Sequence, residues 1–412
     1  RKAFEMTADI KLFDRPFFGY LVSRSSIGMA NTMLVMALGW HLYQLTGNAW
    51  SIAFVGLAQI IPVYAFFFVS GIVVDYVPRI WVVRGCALIE AIAIFGIAML
   101  MIDPTPTLWA VYALVCLHGT GRAFHGPALQ AIVPNIVHEG VLDRAVAMST
   151  TVWNTAMILG PALGGFLIAW FDRSVYFVIA GIILFALLGY ALIPTFRVTH
   201  TTSRTLRSFF DGMRFVKNQS IILGGLTVDM LMVGFGSVLV LLPIYAIDVL
   251  NVGAESLGVL RSMPALGSIL VGVILASRPP MQGAGKKLFI ALCLFVGSIL
   301  GFAVSNVYWL SLIALFFYGA SDMVSMNIRS AMVHRATPEH LRGRVSAVNM
   351  LFIQTSNEAG DFRGGSFAAM FGPVTTGVLG AGIAALVLIW SRWQFAPLYQ
   401  LNRTADLKPT ID

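Results

Sequence analysis

Twelve apolar segments follow one another along the chain, and each is long enough to cross a membrane as a helix. A helix needs about 20 mostly apolar residues to cross the hydrocarbon core of a bilayer. Because backbone polar groups must be satisfied inside that core, the pattern predicts an all-α membrane protein with twelve transmembrane helices. The segments, called spans 1 to 12, fall at 17–46, 49–75, 79–102, 107–132, 143–171, 174–195, 220–247, 253–277, 286–305, 307–333, 342–371 and 373–395.

The composition agrees with a membrane protein. Of the 412 residues, 58% are hydrophobic and 11% are charged, whereas a soluble protein carries about 25% charged residues. The net charge of +8 does not indicate nucleic acid, because the basic residues fall in short loops between spans. We therefore expect a lipid bilayer, protons and a small-molecule substrate as partners, and no nucleic acid.

Lysine and arginine are concentrated in the loops on one side of the predicted membrane. Arg79, Arg278 and Arg335 belong to this set, whereas the opposite loops carry only Arg173. The bias predicts that both termini are cytoplasmic. No cleavable-signal pattern precedes span 1, which would itself target the chain, and the start at Arg1 leads us to expect further native residues before it.

The two halves of the chain repeat each other at an offset of 200 residues. Residues 144–147, RAVA, align with 344–347, RVSA, and the glycines at 160, 164 and 165 align with those at 360, 364 and 365. Two halves in the same orientation predict a pseudo-two-fold axis along the membrane normal. The pattern is typical of a transporter whose halves rock around a central site.

The repeat divides the chain into predicted domains. Two six-helix halves, 1–196 and 220–395, are joined by a cytoplasmic linker, 197–219, and followed by a cytoplasmic tail, 396–412. The linker contains an amphipathic piece, LRSFFDGMRFVK. Such a piece either lies on the membrane surface or packs against the ends of the helices.

Several motifs resemble those of the major facilitator superfamily. GIVVDYVPRIWVVR, 71–84, resembles its signature loop after span 2, GPALGG, 160–165, resembles the antiporter signature of span 5, and Arg122 resembles the arginine of the fourth helix. Longer phrases, including ALGWHLYQLTG, RAFHGPALQAIVP and TPEHLRGRVSAVN, resemble the branch that contains enterobactin exporters and drug-efflux proteins. The resemblance covers nearly the whole chain and implies export by rocker-switch alternating access.

The resemblance also implies a conformational gate on the cytoplasmic side. Gly71, Asp75 and Arg79 match the signature loop, and in this superfamily the acid approaches the start of span 11, here near Arg342 and Arg344. A helix N-terminus and nearby arginines both favour a carboxylate, so we expect a latch that closes this side. The alternative is a solvated loop acid.

The antiporter-like stretch has a physical meaning of its own. Gly160, Gly164 and Gly165 leave one face without side chains, which lets a neighbouring helix approach closely. Pro161 removes a backbone donor and can bend the helix. Ordinary tight packing and a bend that limits leakage during antiport both fit the pattern.

Candidate substrate-binding residues lie on spans 1 and 4. His118, Arg122 and His125 share one helix face, where the arginine would attract an anionic substrate and a histidine titrates near neutral pH. Satisfied core histidines are the alternative, and a metal is excluded because Arg122 would repel it. On span 1, Asn31 and Met33 belong to a stripe that either binds bulky apolar ligands or packs in the core.

Candidate proton-coupling carboxylates lie on spans 7 and 10. Asp229 and Asp322 fall on two of the four spans, 1, 4, 7 and 10, that line the central cavity in the superfamily. Such a carboxylate can bind a proton on one side of the membrane and release it on the other. Arg329, on the same face as Asp322, is a further candidate for substrate binding. The alternative is a structural ion pair, for instance between Asp322 and Arg122.

Span 11 carries the unusual stretch SNEAGDFRGG, 356–365. Ionised groups are costly in a bilayer and are usually functional. Glu358 and Asp361 lie three residues apart and can share one side of the helix, which makes both candidates for proton coupling. Arg363 points about 200° away from Asp361, so we expect it to reach another helix or the outer surface.

These features lead to three hypotheses. The first is a proton-coupled exporter of a bulky amphipathic small molecule, such as a siderophore or a drug, acting as a monomer. The second is a proton-coupled importer of a nutrient or organic anion. The third, a membrane receptor that transports nothing, gives no reason to retain costly buried charges. A P-loop, a nucleophile–histidine arrangement and a metal cluster are all missing from the sequence, so we expect no enzyme and no cofactor.

Overall fold

The computed structural model describes residues 14–196, 206–277, 282–338, 341–403 and 407. Within these ranges the chain forms helices and connecting turns and no β-strand, and all twelve predicted spans are largely helical. The helices are α1 Arg15–Thr46, α2 Trp50–Ala65, α3 Phe67–Tyr76, α4 Arg79–Met101, α5 Leu108–Ile136, α6 Leu142–Phe171, α7 Val175–Ala191, α8 Leu206–Asn218, α9 Ser220–Gly236, α10 Leu242–Ile244, α11 Ala254–Ala276, α12 Ala284–Ala303, α13 Tyr308–Ala336, α14 Arg342–Phe371, α15 Pro373–Gln394 and α16 Ala396–Gln400.

Two spans are interrupted where the sequence pattern predicts continuous helices. Span 2 consists of α2 and α3, with a break at Phe66. Span 7 consists of α9, which ends before Ser237, and of three short helical turns that end at Val249. Pro243 lies in this second part and has no N–H group to bond the carbonyl four residues earlier, so a regular α-helix does not continue there.

Eight stretches are long and apolar enough to cross a membrane, judged by length and composition. The helix α2 has only 16 residues, and α14 carries charged residues in its middle. One of the eight stretches, Arg144–Ala191, contains two predicted spans. The number of twelve crossings and the cytoplasmic termini therefore stay predictions. The stretches are Arg15–Thr46, Arg79–Met101, Arg144–Ala191, Ser220–Val249, Ala254–Ala276, Ala284–Ala303, Tyr308–Ala336 and Pro373–Gln394.

The chain divides into two compact units. Among the described residues, unit 1 comprises 14–38 and 57–196, and unit 2 comprises 39–56 and everything from 206 onward. The two units therefore differ from the two halves predicted from the sequence in one segment. Residues 39–56, the end of α1 and the start of α2, pack with the second half of the chain.

In unit 1 the glycines of the antiporter-like stretch bring α6 against α1. A Cβ atom added at Gly164 would lie 3.2 Å from Met33 Cγ, and one added at Gly160 would lie 3.2 Å from the carbonyl oxygen of Met29. Real Cβ atoms rarely approach other atoms so closely. The two helices can pack at this distance because glycine has no side chain.

The other members of that stretch agree with tight packing. Gly165 and Pro161 are both buried, and α6 continues through Pro161 from Leu142 to Phe171. The proline therefore does not end the helix. A role in limiting leakage stays a prediction.

In unit 2 the repeated glycines have the equivalent neighbour. A Cβ at Gly360 would lie 3.1 Å from the carbonyl oxygen of Val233 on α9. At Gly364 it would lie 2.5 Å from Val240 Cγ1, just beyond α9. Thus α14 packs on α9 in unit 2 as α6 packs on α1 in unit 1, which is the relation that the sequence repeat predicts.

A second pair of repeated glycines behaves in the same way. A Cβ at Gly119 of α5 would lie 3.0 Å from the carbonyl oxygen of Gln59 on α2. A Cβ at Gly319 of α13 would lie 2.5 Å from the Cα of Pro264 on α11. Each glycine lets the fourth span of its half pack directly on the backbone of the second.

The amphipathic piece of the linker packs against helix ends and does so within unit 2. Val216 of α8 is fully buried in an apolar cluster with Ile222 and Val345. Gly212 lies against the backbone of Arg344 at the start of α14, where an added Cβ would be 2.9 Å from the carbonyl carbon. Linker residues 197–205 and tail residues 404–406 and 408–412 lie outside the described ranges.

Candidate functional site

Unit 1 holds a buried carboxylate–histidine–tyrosine chain between α4, α5 and α7. Glu90 Oε1 lies 2.8 Å from His125 Nδ1, and His125 Nε2 lies 2.7 Å from the hydroxyl of Tyr190. The exposed fractions of Glu90, His125 and Tyr190 are 0%, 2% and 0%. Charged groups are seldom buried so deeply unless they are paired. His125 therefore does not have the surface that we expected of a substrate-binding side chain.

The second histidine of α5 contacts α1. His118 Nε2 lies 3.0 Å from Asn31 Oδ1, and His118 is fully buried. Met33, on the same helix as Asn31, is 1% exposed and lies against Gly164. These positions correspond to the packing alternative for Met33, while Asn31 itself stays half-buried.

The arginine between the two histidines contacts a third helix. Arg122 donates a hydrogen bond through Nη1 to Gln59 Oε1 on α2. The partner is a neutral amide, so Arg122 has no carboxylate in direct contact among the described residues. A half-buried guanidinium without a bound carboxylate is suited to an anionic group of a substrate.

Arg24 is a second half-buried arginine of unit 1. Its Nε donates to the carbonyl oxygen of Ser149 at 3.3 Å, and its Nη1 donates to the hydroxyl of Tyr20 at 3.3 Å. The guanidinium carbon lies 5.1 Å from the ring centroid of Trp153, within the range of a cation–π contact. The sequence analysis did not single out Arg24, although an arginine inside an apolar segment is itself a signal.

Unit 2 holds a buried ion pair between α9 and α13. Arg329 Nη1 contacts Asp229 Oδ2, and its Nε donates to Ser325 Oγ at 3.2 Å. Asp229 and Arg329 are 7% and 8% exposed. The pair belongs to one unit, so Asp229 is balanced by an arginine that the sequence analysis assigned to the substrate.

Asp322 lies near that pair but is not part of it. It is half-buried, within electrostatic reach of Arg329 and of Asp229. In the described part of the chain it has neither a hydrogen bond nor an ion pair. Two carboxylates therefore share one guanidinium, which leaves one negative charge without a direct partner.

The acids of α14 lie close to the end of α9. Asp361 Oδ1 accepts a hydrogen bond of 3.5 Å from Ser237 Oγ. Glu358 and Arg261 lie within electrostatic reach of Asp361, and Arg261 also donates to the carbonyl oxygen of Leu239 at 3.4 Å. The sequence analysis missed Arg261, because its partner is set by helix packing and not by a local motif.

Arg363 caps the broken end of α9. Its Nε donates to the carbonyl oxygen of Gly234 at 2.9 Å, and its Nη2 donates to that of Ser237 at 3.3 Å. These carbonyls belong to the last turn and the end of α9, which has no following α-helical turn to bond them. A cation at the C-terminus of a helix is also favoured by the helix dipole.

Two of the four predicted gate residues, Arg79 and Arg344, contact neighbours within their own units. Arg79 Nη1 donates to the carbonyl oxygen of Ala131 at 2.8 Å and to Asn135 Oδ1 at 2.7 Å, which attaches the start of α4 to the end of α5. Arg344 Nη1 lies 3.4 Å from Asp211 Oδ2. Gly71 has open space around it, and the side chain of Asp75 lies outside the described ones.

The described residues combine long apolar helices, a repeated helix arrangement and charged groups buried between helices. The model of the Major Facilitator Superfamily matches residues 17–359. This match covers most of the chain. The protein therefore belongs to the Major Facilitator Superfamily, and it is a transporter and not an enzyme.

Several curated relatives of the chain are efflux proteins, and their sequence identity to it is low. The multidrug efflux pump Tap of Mycolicibacterium fortuitum is 25% identical over 357 residues, which cover 81% of this chain and 84% of the pump. The macrolide efflux protein A of Streptococcus pyogenes is 23% identical over 253 residues, or 60% of this chain and 62% of the relative. The enterobactin exporter EntS of Citrobacter koseri is 25% identical over 287 residues, or 68% and 67% of the two chains.

Solved structures share the fold. The nucleoside transporter NupG superposes with a TM-score of 0.66 at 15% identity over 95% of this chain and 100% of the other. A D-xylose-proton symporter superposes with a TM-score of 0.66 at 13% identity over 94% and 97% of the two chains. At such identities the likeness extends to the fold alone, and the fold is shared by transporters of different substrates.

Proposed function

We propose that the protein is a proton-coupled exporter of a bulky amphipathic small molecule, such as a siderophore or a drug. It exchanges this substrate for protons by rocker-switch alternating access in a bacterial inner membrane. The activities of the relatives, macrolide efflux, multidrug efflux and enterobactin export, support export as the direction of transport. The chain aligns with only 62% of the macrolide efflux protein, so the substrate class is part of the proposal.

One observation carries the proton coupling. Asp229 and Asp322 share the single guanidinium of Arg329, and only Asp229 is in contact with it. An ionised carboxylate in a membrane interior costs several kcal/mol unless its charge is compensated. Binding of one proton to the two carboxylates removes the surplus charge. The group can therefore take up and release a proton as its surroundings change between the two open states.

The acids of α14 are a second set of proton-coupling candidates. Asp361 lies within electrostatic reach of both Glu358 and Arg261, while Arg363 forms hydrogen bonds with the end of α9. A proton on either acid changes the balance of charge at the break in α9. We assign this set a supporting role, because Asp361 has both a hydrogen-bond donor and a nearby arginine.

The substrate site in this proposal is built on Arg122. Its guanidinium is held by a neutral amide, so it can bind a carboxylate or phenolate of the substrate without breaking an internal ion pair. The half-buried Asn31 is a hydrogen-bonding neighbour on α1. His118, which is fully buried, holds the Asn31 side chain through a hydrogen bond. Gly71, Asp75, Arg79 and Arg344 remain the proposed cytoplasmic gate.

Proton-coupled import of a nutrient or organic anion is the second candidate, because the fold and the buried carboxylates fit it equally well. The test begins with a thermal-stabilisation screen of the purified protein against a macrolide antibiotic and enterobactin. A stabilising compound is then followed in proteoliposomes with and without a pH gradient. The proposal requires flux that depends on the gradient. If the flux of the bound compound is independent of the pH gradient, proton coupling is excluded.

A further inference from the structure

We infer that Glu90 and His125 form a proton-binding site inside unit 1 that controls the affinity of Arg122 for an anionic substrate. The inference rests on the proposed function, since it concerns the same substrate site. The proton site on α4 and α5 is separate from the carboxylates of unit 2, which bind the proton that is exchanged for the substrate. Neither Glu90 nor Tyr190 is explained by the gate, by the helix-packing glycines or by the coupling group at Asp322.

The side chains around Glu90 and His125 are arranged to bind a charged group. Glu90 is fully buried, and its approach to α5 depends on Gly121, where an added Cβ would lie 2.7 Å from Glu90 Cγ. Its Oε1 is bonded to His125 Nδ1 at 2.8 Å, and the far nitrogen of this histidine is bonded to Tyr190. Both ring nitrogens thus have partners, as an imidazolium requires.

Two buried atoms of the site have no hydrogen-bond partner among the described residues. They are Glu90 Oε2 and His118 Nδ1. When Asn31 Oδ1 accepts the N–H of His118 Nε2 at 3.0 Å, the Nδ1 atom of His118 carries a lone pair. Both atoms are therefore acceptors. Buried acceptors without donors are costly, and so is a buried net charge. Binding of a proton at the Glu90–His125 pair removes the net negative charge of the pair, which lowers the cost of burying it.

The surrounding charges determine how proton binding changes the affinity of Arg122 for an anion. Glu90 lies within electrostatic reach of Arg122. The ionised Glu90 partly neutralises this guanidinium, and a proton bound at the pair withdraws that negative charge. The anion affinity of Arg122 then rises as the pH falls. The titratable and charged groups around the pair are His118 and Arg122 on α5, Cys86 on α4, Tyr190 on α7, and, nearer to Tyr190, Tyr20 and Arg24 on α1.

Infrared difference spectroscopy tests proton binding without any transport. Spectra of the purified protein at acidic minus alkaline pH are recorded for the unmodified chain, for Glu90→Gln and for His125→Gln. We expect a carboxyl or imidazolium signal to be lost in both variants. Glu255→Gln, which changes an exposed glutamate, is the matched control and keeps it. A difference spectrum unchanged by Glu90→Gln and by His125→Gln would overturn the inference.

Binding experiments test the connection with Arg122. The probe is the anionic compound that the stabilisation screen identifies, or salicylate if none is found, and its affinity is measured across a pH series. The unmodified protein should bind more tightly at acidic pH, and Glu90→Gln should bind tightly throughout the series. Tyr190→Phe, which preserves the packing but removes one bond to His125, should shift the pH midpoint. An equally steep pH dependence in Glu90→Gln would overturn the control of Arg122.

The two proposals fail in different ways. If the unmodified protein shows no gradient-driven flux but its infrared spectrum contains the signal of Glu90, the proposed coupling is overturned and the proton site is not. Gradient-driven flux with no effect of Glu90→Gln on spectrum or affinity would overturn the proton site alone. Circular dichroism of each variant shows whether it is folded. Where Glu90→Gln fails to fold, His125→Gln and Tyr190→Phe decide the outcome.

Discussion

Replacement of Arg363 by methionine removes the cap of α9 while keeping a long side chain in place. Two backbone carbonyls, those of Gly234 and Ser237, lose donors that now lie at 2.9 and 3.3 Å. A buried acceptor left unpaired costs ~1–3 kcal/mol. Arg363 is half-buried, and the substitution also removes a guanidinium nitrogen, Nη1, that is buried without a partner among the described residues. Both facts favour the lower end of the range, about 1 kcal/mol for each of the two carbonyls, so we expect a total loss of about 2 kcal/mol in the free energy of unfolding.

The assay is unfolding by SDS titration in mixed micelles, followed by circular dichroism. Arg335→Met is the matched control, because Arg335 is exposed near the end of α13 and its replacement should change stability by less than about 0.5 kcal/mol. Arg363→Lys should fall between the two, since an ammonium cannot reproduce both bonds of the guanidinium. A change for Arg363→Met no larger than that of the control would refute the capping role.

Three further substitutions test other parts of the account. Asp322→Asn should abolish transport driven by a pH gradient in proteoliposomes, and undiminished coupling would exclude Asp322 from the proton path. Arg122→Ala should weaken the binding of anionic compounds more than that of neutral ones, measured by calorimetry, whereas an equal loss would indicate a structural role. Gly319→Ala should destabilise the protein by ~1–3 kcal/mol through overpacking against Pro264, where its Cβ would lie 2.5 Å from the Cα atom. Gly297→Ala, with open space around it, should be neutral or stabilising in the same melting experiment.

The helical fold could be predicted from the sequence because a membrane imposes a local rule. The length of an apolar run determines whether it can cross the bilayer, and this length is visible without any neighbour. The repeat of glycines at an offset of 200 residues could also be read directly. It corresponds to the packing of Gly160 on α1 and of Gly360 on α9.

The capping of α9 by Arg363 could not be predicted in the same way. Arg363 lies 129 residues from Gly234 in the chain and donates a hydrogen bond to its carbonyl group. The sequence analysis predicted that Arg363 reaches either another helix or the outer surface. It could not choose between them, because helical periodicity shows only on which side of its own helix a residue lies. The neighbour in that direction is fixed by tertiary packing.

The candidate site on α5 shows the same limit. The spacing of His118, Arg122 and His125 places them on one helix, but their partners lie on four others: Asn31 on α1, Gln59 on α2, Glu90 on α4 and Tyr190 on α7. One helix face can contact several neighbours. Residue spacing therefore predicted a cluster, whereas the structure separates a buried histidine pair from an arginine held by an amide.

The sign of the pH gradient that drives accumulation tests the central claim most directly. Proteoliposomes containing the unmodified protein are prepared with an acidic interior or an acidic exterior, and uptake of a compound found by the stabilisation screen is measured. An antiporter exchanges internal protons for external substrate, so the account predicts accumulation only in vesicles with the acidic interior. Accumulation only with the acidic exterior would show symport and would contradict proton-coupled export.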